Sequence, residues 1–124
     1  MNSQVLIVDD DEIVLFLHGL IIKESGLSKN PLTFIDGSVA LSYLQKHHQD
    51  KPAFVIFLDI NMPVMNGWEL LTALEQSSFR EKIKVVMASS SIDKEDYNKA
   101  NKSPLVVQYL EKPLKIDDCL QLRT

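Results

Sequence analysis

The chain has 124 residues, a length that fits one domain with a core of its own and no need for a metal or disulfide staple. Hydrophobic residues make up 45% and charged residues 24%, the composition of a globular protein, and one cysteine excludes an internal disulfide. Thirteen Lys+Arg against seventeen Asp+Glu leave a formal charge of −4, and without a basic run this argues against direct binding to nucleic acid or to anionic membranes.

Short apolar runs alternate with longer helical stretches. Val5–Val8 reads as a first strand, followed by a helix over Glu12–Glu24 that Gly26 stops. The stripe Ile13, Leu17, Leu20, Ile21 is the expected core face of that helix. Leu15 and Ile22 lie off it, as surplus core packing or as a patch for a partner. Leu32–Ile35 is a second strand, Asp36-Gly37 a turn, and Ser38–His48 a helix anchored by Ala40, Leu41 and Leu44. Phe54–Leu58 is the most apolar run. A helix over Gly67–Gln76, a strand over Ile83–Ala88, a polar helix over Asp93–Lys102 (Ile92, Tyr97 and Ala100 as anchors), a strand over Val106–Leu110 and a short helix over Ile116–Leu122 complete the series. Five βα units of this kind predict an α/β, doubly wound parallel sheet in a single domain over 1–124. No basic signal region or apolar segment of membrane-spanning length is visible, so the default compartment is the cytoplasm.

In such sheets ligands bind beyond the carboxyl ends of the strands. Asp9, Asp10, Asp11 and Glu12 follow strand 1, Asp59 follows strand 3, Ser89-Ser90-Ser91 follow strand 4, and Glu111-Lys112-Pro113 follow strand 5. Were Asp9, Asp10 and Asp59 to converge, their repulsion would call for a hard divalent cation such as Mg²⁺, and Lys112 would complete neutrality. An ionised aspartate in that setting can attack a phosphoryl group. Each signal also has a plain structural meaning: the acidic run as a helix cap, Asp59 as a turn residue, the serines as loop. His47-His48 are adjacent and do not share a helix face, so they make poor joint metal ligands. Trp68 and Met65 read as packing of the third helix, and Cys119 as a buried or half-buried residue.

Taken together, Val8-Asp9-Asp10-Asp11, Leu58-Asp59-Ile60-Asn61-Met62-Pro63-Val64-Met65-Asn66-Gly67, Met87-Ala88-Ser89-Ser90 and Glu111-Lys112-Pro113 make the whole chain resemble a response-regulator receiver domain of two-component signalling. The resemblance implies a flavodoxin-like sheet of order 2-1-3-4-5 with five helices, the last one short. It implies Asp59 as phosphoacceptor, and Asp9, Asp10, Asp59 and the backbone carbonyl of Asn61 as the Mg²⁺ site. Ser89 would be the switch hydroxyl, Lys112 the phosphoryl contact and Tyr109 the aromatic that turns inward on activation. A cis bond often precedes a proline placed like Pro113.

The implied function is a signalling switch, not an enzyme beyond its own phosphorylation and slow dephosphorylation. It would take phosphate from a histidine kinase or histidine phosphotransfer protein. Its helix 4–strand 5–helix 5 surface would then control a downstream protein or relay phosphate, as a monomer or a phosphorylation-dependent dimer. With only a short helix after residue 114, a stand-alone type is expected. In the family it resembles, the residues two after the acceptor and two after the switch hydroxyl tune water access; here they are Asn61 and Ser91, small and polar, which implies hydrolysis that is neither very fast nor blocked. Two other readings are an aspartyl-phosphate enzyme, against which Asp59 lacks the following Asp-x-Asp pattern, and a docking scaffold without chemistry, against which the complete acidic, hydroxyl and lysine set stands.

Overall fold

The computed structural model describes residues 3–90 and 93–122, so Ser91 and the expected anchor Ile92 lie outside the described residues. The order of elements is β1 (Gln4–Val8), α1 (Glu12–Ser25), β2 (Leu32–Phe34), α2 (Gly37–His47), β3 (Phe54–Asp59), α3 (Gly67–Glu75), β4 (Ile83–Ser89), α4 (Lys94–Asn101), β5 (Val106–Glu111) and α5 (Ile116–Leu120). A 3₁₀ turn over Arg80–Lys82 leads into β4. All five strands are parallel, in the order β2-β1-β3-β4-β5. This is the flavodoxin-like arrangement expected, and the last helix is short, ending at Leu120 rather than Leu122.

Side chains alternate across each strand, and the core divides accordingly. Leu6, Val8, Phe54, Ile56, Leu58, Val85 and Met87 face one layer, where Ala40 and Leu44 of α2, Leu70, Leu71 and Leu74 of α3 and Ala100 of α4 cover them. Val5, Ile7, Val55, Phe57 and Val86 face the other layer, against Leu15 and Ile22 of α1 and Leu114 and Cys119 around α5. Every residue of β3 is buried, as a central parallel strand requires, and each large apolar side chain so covered contributes about 1.5–3 kcal/mol.

The core face of α1 differs from the one expected. Leu15, His18, Gly19, Ile22 and Ser25 face inward, while Ile13 (69% exposed), Phe16 (66%), Leu17 and Leu20 face solvent. Leu15 and Ile22 are therefore the core anchors, and of the expected stripe only Ile21 is packed against the core. The helix is apolar nearly all round, so periodicity alone does not single out a face. What decides it is where β1, β3 and α5 offer apolar surface.

Candidate functional site

The residues singled out after the strands divide into two groups. Asp11 is the N-cap of α1: its carboxylate accepts the backbone N–H of Ile13 at 2.9 Å and of Val14 at 3.4 Å. Asp36 caps α2 in the same way, and its carboxyl is held below the usual range by the Ser38 hydroxyl and the Val39 N–H. For Asp11 the plain structural meaning holds, whereas Asp36, expected in a turn with Gly37, is a helix cap and Gly37 already opens α2.

Asp9, Asp10 and Asp59 form the second group. Each offers a carboxylate oxygen, and these oxygens lie within 4.8 Å of one another, the one such acidic cluster among the described residues. Asp9 (2% exposed) follows β1, and Asp59 (6% exposed) is the last residue of β3, the neighbouring strand. Asp10 is exposed. The backbone N–H of Asp11 donates to Asp9 Oδ1 at 2.9 Å and so orients that carboxylate. Lys112 Nζ reaches Asp9 Oδ2 at 2.7 Å and Asp59 Oδ1 at 3.0 Å.

Two of the three carboxylates, Asp9 and Asp59, thus share one ammonium. Burial pushes Asp59 up to about 6, opposed by its hydrogen bond to Lys112 and reinforced by the charges of Asp9 and Asp10. Burial alone would lower Lys112, but its hydrogen bonds to Asp9 and Asp59 outweigh that and hold it above the ordinary lysine value.

Two structural devices hold this geometry. Gly67, the first residue of α3, lies so close to the end of β3 that a Cβ there would collide with the Asp59 carbonyl oxygen and meet Ile60 Cα at 2.9 Å. Only glycine allows that approach, and the Gly67 N–H donates to the Ile60 carbonyl at 2.8 Å. The α3 terminus is closed by a capping box in which Asn66 and Glu69 satisfy each other's backbone N–H groups at 2.9 Å. Between Asp59 and this cap the chain passes through Val64, a β-branched residue at φ 68° that is 83% exposed.

On the β5 side, the Lys112 N–H donates to the Ser89 carbonyl at 2.7 Å, which ties the lysine to the end of β4. Ser89 is buried and stands one residue beyond Ala88, the register partner of Asp59. The Lys112-Pro113 bond is cis. Tyr109 lies in register with Met87 and packs against the core, its buried hydroxyl without a hydrogen-bond partner among the described residues. Its ring meets Tyr97 of α4 edge to face at 5.8 Å. Asn61 is exposed two residues past Asp59.

Residues expected to be structural behave so. His47 pairs with Asp50 at 2.8 Å, His48 stacks on Phe79, Cys119 is fully buried, and Trp68 packs against the core with Lys99 Nζ 4.5 Å above its ring. Two contributors were not foreseen: Gly67 as a contact point, and His18, a buried histidine whose environment includes Asp9 and Lys112. The available signal for His18 was its place three residues after Leu15 and four before Ile22, on the face that turned out to be the core.

A doubly wound sheet with buried carboxylates at the carboxyl ends of its central strands, and a lysine just past the edge strand β5 that reaches them, has its binding site where such sheets hold their ligands. The sequence profile of the response regulator receiver domain matches residues 5–123. A two component response regulator from Cytophaga hutchinsonii superposes with TM-score 0.86 at 33% identity, covering 98% of this chain and 92% of that one. A response regulator receiver protein from Dyadobacter fermentans gives TM-score 0.86 at 32% identity, with 97% and 94% covered. The transcriptional regulatory protein PrrA of Mycobacterium tuberculosis is 37% identical over 92 residues, which are 74% of this chain and 37% of that protein. The present chain therefore matches little more than a third of that regulator's length. The chain belongs to the response regulator receiver domain family of two-component signalling. No described helix is long and apolar enough to cross a membrane.

Proposed function

We propose that this receiver domain accepts a phosphoryl group on Asp59 and uses it to reshape the surface formed by α4, β5 and α5. The observation that carries this reading is the arrangement around Asp59: a buried carboxylate at the end of a central strand, 3.0 Å from Lys112 Nζ, with the Asp9 and Asp10 carboxylates beside it. The donor is a phosphohistidine of a histidine kinase or histidine phosphotransfer protein. An Asp59 carboxylate oxygen forms a bond to phosphorus, the P–N bond breaks, and the departing imidazole nitrogen takes up a proton from solvent.

Oxygen-rich, crowded and negatively charged, the cluster suits a hard cation, and Asp9, Asp10, Asp59 and the Asn61 carbonyl would hold Mg²⁺. Once bound, that ion offsets charge on the phosphoryl oxygens. Lys112, already positioned between Asp9 and Asp59, supplies a second positive charge from the protein itself. Ser89, at the end of β4, is the hydroxyl that contacts the phosphoryl group. Its movement is coupled to Tyr109, whose ring meets Tyr97 edge to face and whose hydroxyl has no hydrogen-bond partner among the described residues. The output is protein contact with a downstream partner, or passage of the phosphate onward.

Intact mass after incubation with acetyl phosphate tests this, with Mg²⁺, with chelator, and in Asp59→Asn. One added phosphoryl group that needs Mg²⁺ and is lost in Asp59→Asn is the expected outcome. No adduct in the wild type, and no phosphate release above the variant's background, would overturn it in favour of a docking scaffold.

A further inference from the structure

His18 is a buried histidine to which no role at the site has been given. It stands on the inward face of α1 and is 3% exposed. Its Nε2 accepts the backbone N–H of Leu114 at 3.2 Å, a bond spanning almost the whole chain. Accepting a hydrogen bond there requires a bare Nε2, so the ring is neutral and its proton sits on Nδ1. Burial lowers its basicity; the charge of Asp9 opposes this and that of Lys112 adds to it.

Leu114 lies two residues after Lys112. The lysine-bearing turn is thus fastened at two points: the Lys112 N–H to the Ser89 carbonyl at 2.7 Å, and the Leu114 N–H to His18 Nε2. Beyond the second point, the Leu114 side chain enters the core layer shared with Leu15 and Ile22. Lys112 has a long flexible side chain, and its reach to both Asp9 and Asp59 depends on where its backbone starts.

We infer that His18 is a positioning residue for phosphoryl acceptance: through its Nε2 it fixes the turn that presents Lys112 to Asp9 and Asp59. The inference rests on the phosphoacceptor reading above for its functional consequence, but the positioning itself is measurable without phosphorylation. A histidine that merely filled space would be replaceable by an apolar residue of similar size. A histidine acting through its acceptor nitrogen is replaceable by glutamine, whose Oε1 can occupy the same place, and not by leucine.

The test uses the full chain as wild type, His18→Leu and His18→Gln. The first readout is the rate at which Lys112 is modified by an amine-reactive reagent, followed by peptide mass mapping. His18→Leu should be modified about fivefold faster than the wild type, and His18→Gln at close to the wild-type rate. The second is the Mg²⁺-dependent rate of phosphorylation by acetyl phosphate, which should fall about tenfold in the leucine variant, mostly in the maximal rate, and recover in the glutamine variant. Nitrogen NMR of wild-type His18 should report the neutral Nδ1–H form. This needs no variant and decides the matter should His18→Leu fail to fold, because a proton on Nε2 overturns the inference. Equal Lys112 reactivity in all three proteins also overturns it, whatever the phosphorylation result. A wild type that labels slowly at Lys112 but takes no phosphoryl group overturns the phosphoacceptor reading alone.

Discussion

Helices α3 and α4 lie on the same face of the sheet and are nearly the same length, yet they are attached in different ways. Helix α3 buries Leu70, Leu71 and Leu74, is closed by a reciprocal capping box and touches the Asp59 backbone through Gly67. Helix α4 is N-capped by Asp93 but buries only Ala100, with Tyr97 against Tyr109 and Lys99 over Trp68 as further contacts. One face thus offers a firmly packed wall behind the carboxylates and a lightly held element next to Tyr109. The switching function proposed above needs both, and apolar burial is what separates them.

The sharpest way to break this contrast is to hollow out the anchored helix. Leu70→Ala removes a fully buried side chain and should cost about 2–5 kcal/mol in urea unfolding. A cost below about 1 kcal/mol would mean that α3 is no better packed than α4.

Gly67→Ala probes the close approach instead of the core. The added methyl must displace the Asp59 carbonyl or the start of α3, which should cost about 1–3 kcal/mol and lower phosphoryl uptake from acetyl phosphate as well. Unchanged stability and uptake together would mean that the close approach of Gly67 to Asp59 constrains nothing.

Charge on the anchored side gives a smaller effect with a definite sign. With Asp59 raised to about 6, the folded protein holds a proton that the unfolded chain has already released between about pH 4 and 6. Without divalent cations, this carboxyl therefore takes stability away as pH rises through that window, and the cost is fully present above it. At pH 7 in chelator, Asp59→Asn should be more stable than the wild type by about 1 kcal/mol, and the difference should shrink toward pH 4. His18, lowered by burial, contributes the opposite slope, with stability lost as pH falls, but it does so in both proteins and cancels in the difference. Urea midpoints at several pH values measure this, and a less stable variant at pH 7 would contradict it.

The smallest effect belongs to the lightly held helix. Tyr97 is 46% exposed, so Tyr97→Ala should cost less than about 1 kcal/mol while altering the environment of Tyr109, visible in its aromatic NMR signals. A loss as large as that of Leu70→Ala would erase the distinction between the two helices.

Much of this was legible in the residues themselves. The apolar runs of β1, β3 and β4 announced a covered parallel sheet, and the acidic, hydroxyl and lysine residues after them fell where chain direction must gather them. Asp11 and Asp59 could not be separated by residue type, because a carboxylate after a strand can cap a helix or join a cluster; the N–H groups of Ile13 and Val14 made the choice. The inward face of α1 was misread because apolar residues occupy both sides of the helix. The roles of Gly67 and His18 were invisible because each depends on a partner far away in the chain or on a distance that no local pattern encodes.

The strand order carries a consequence for synthesis on the ribosome. Strand β1 is made first, but its Leu6 is opposed on one side by Leu32 and on the other by Ile56, since β2 leaves for the sheet edge and β3 takes the central place. A growing chain that has emerged only through α2 has no β3 to cover that flank of β1. Asp9 is likewise translated long before Lys112, the cation with which it will pair. That flank of β1 is therefore covered only once β3 has emerged, and Asp9 meets its cation only once Lys112 has, so the nascent N-terminal portion stays open to association until then.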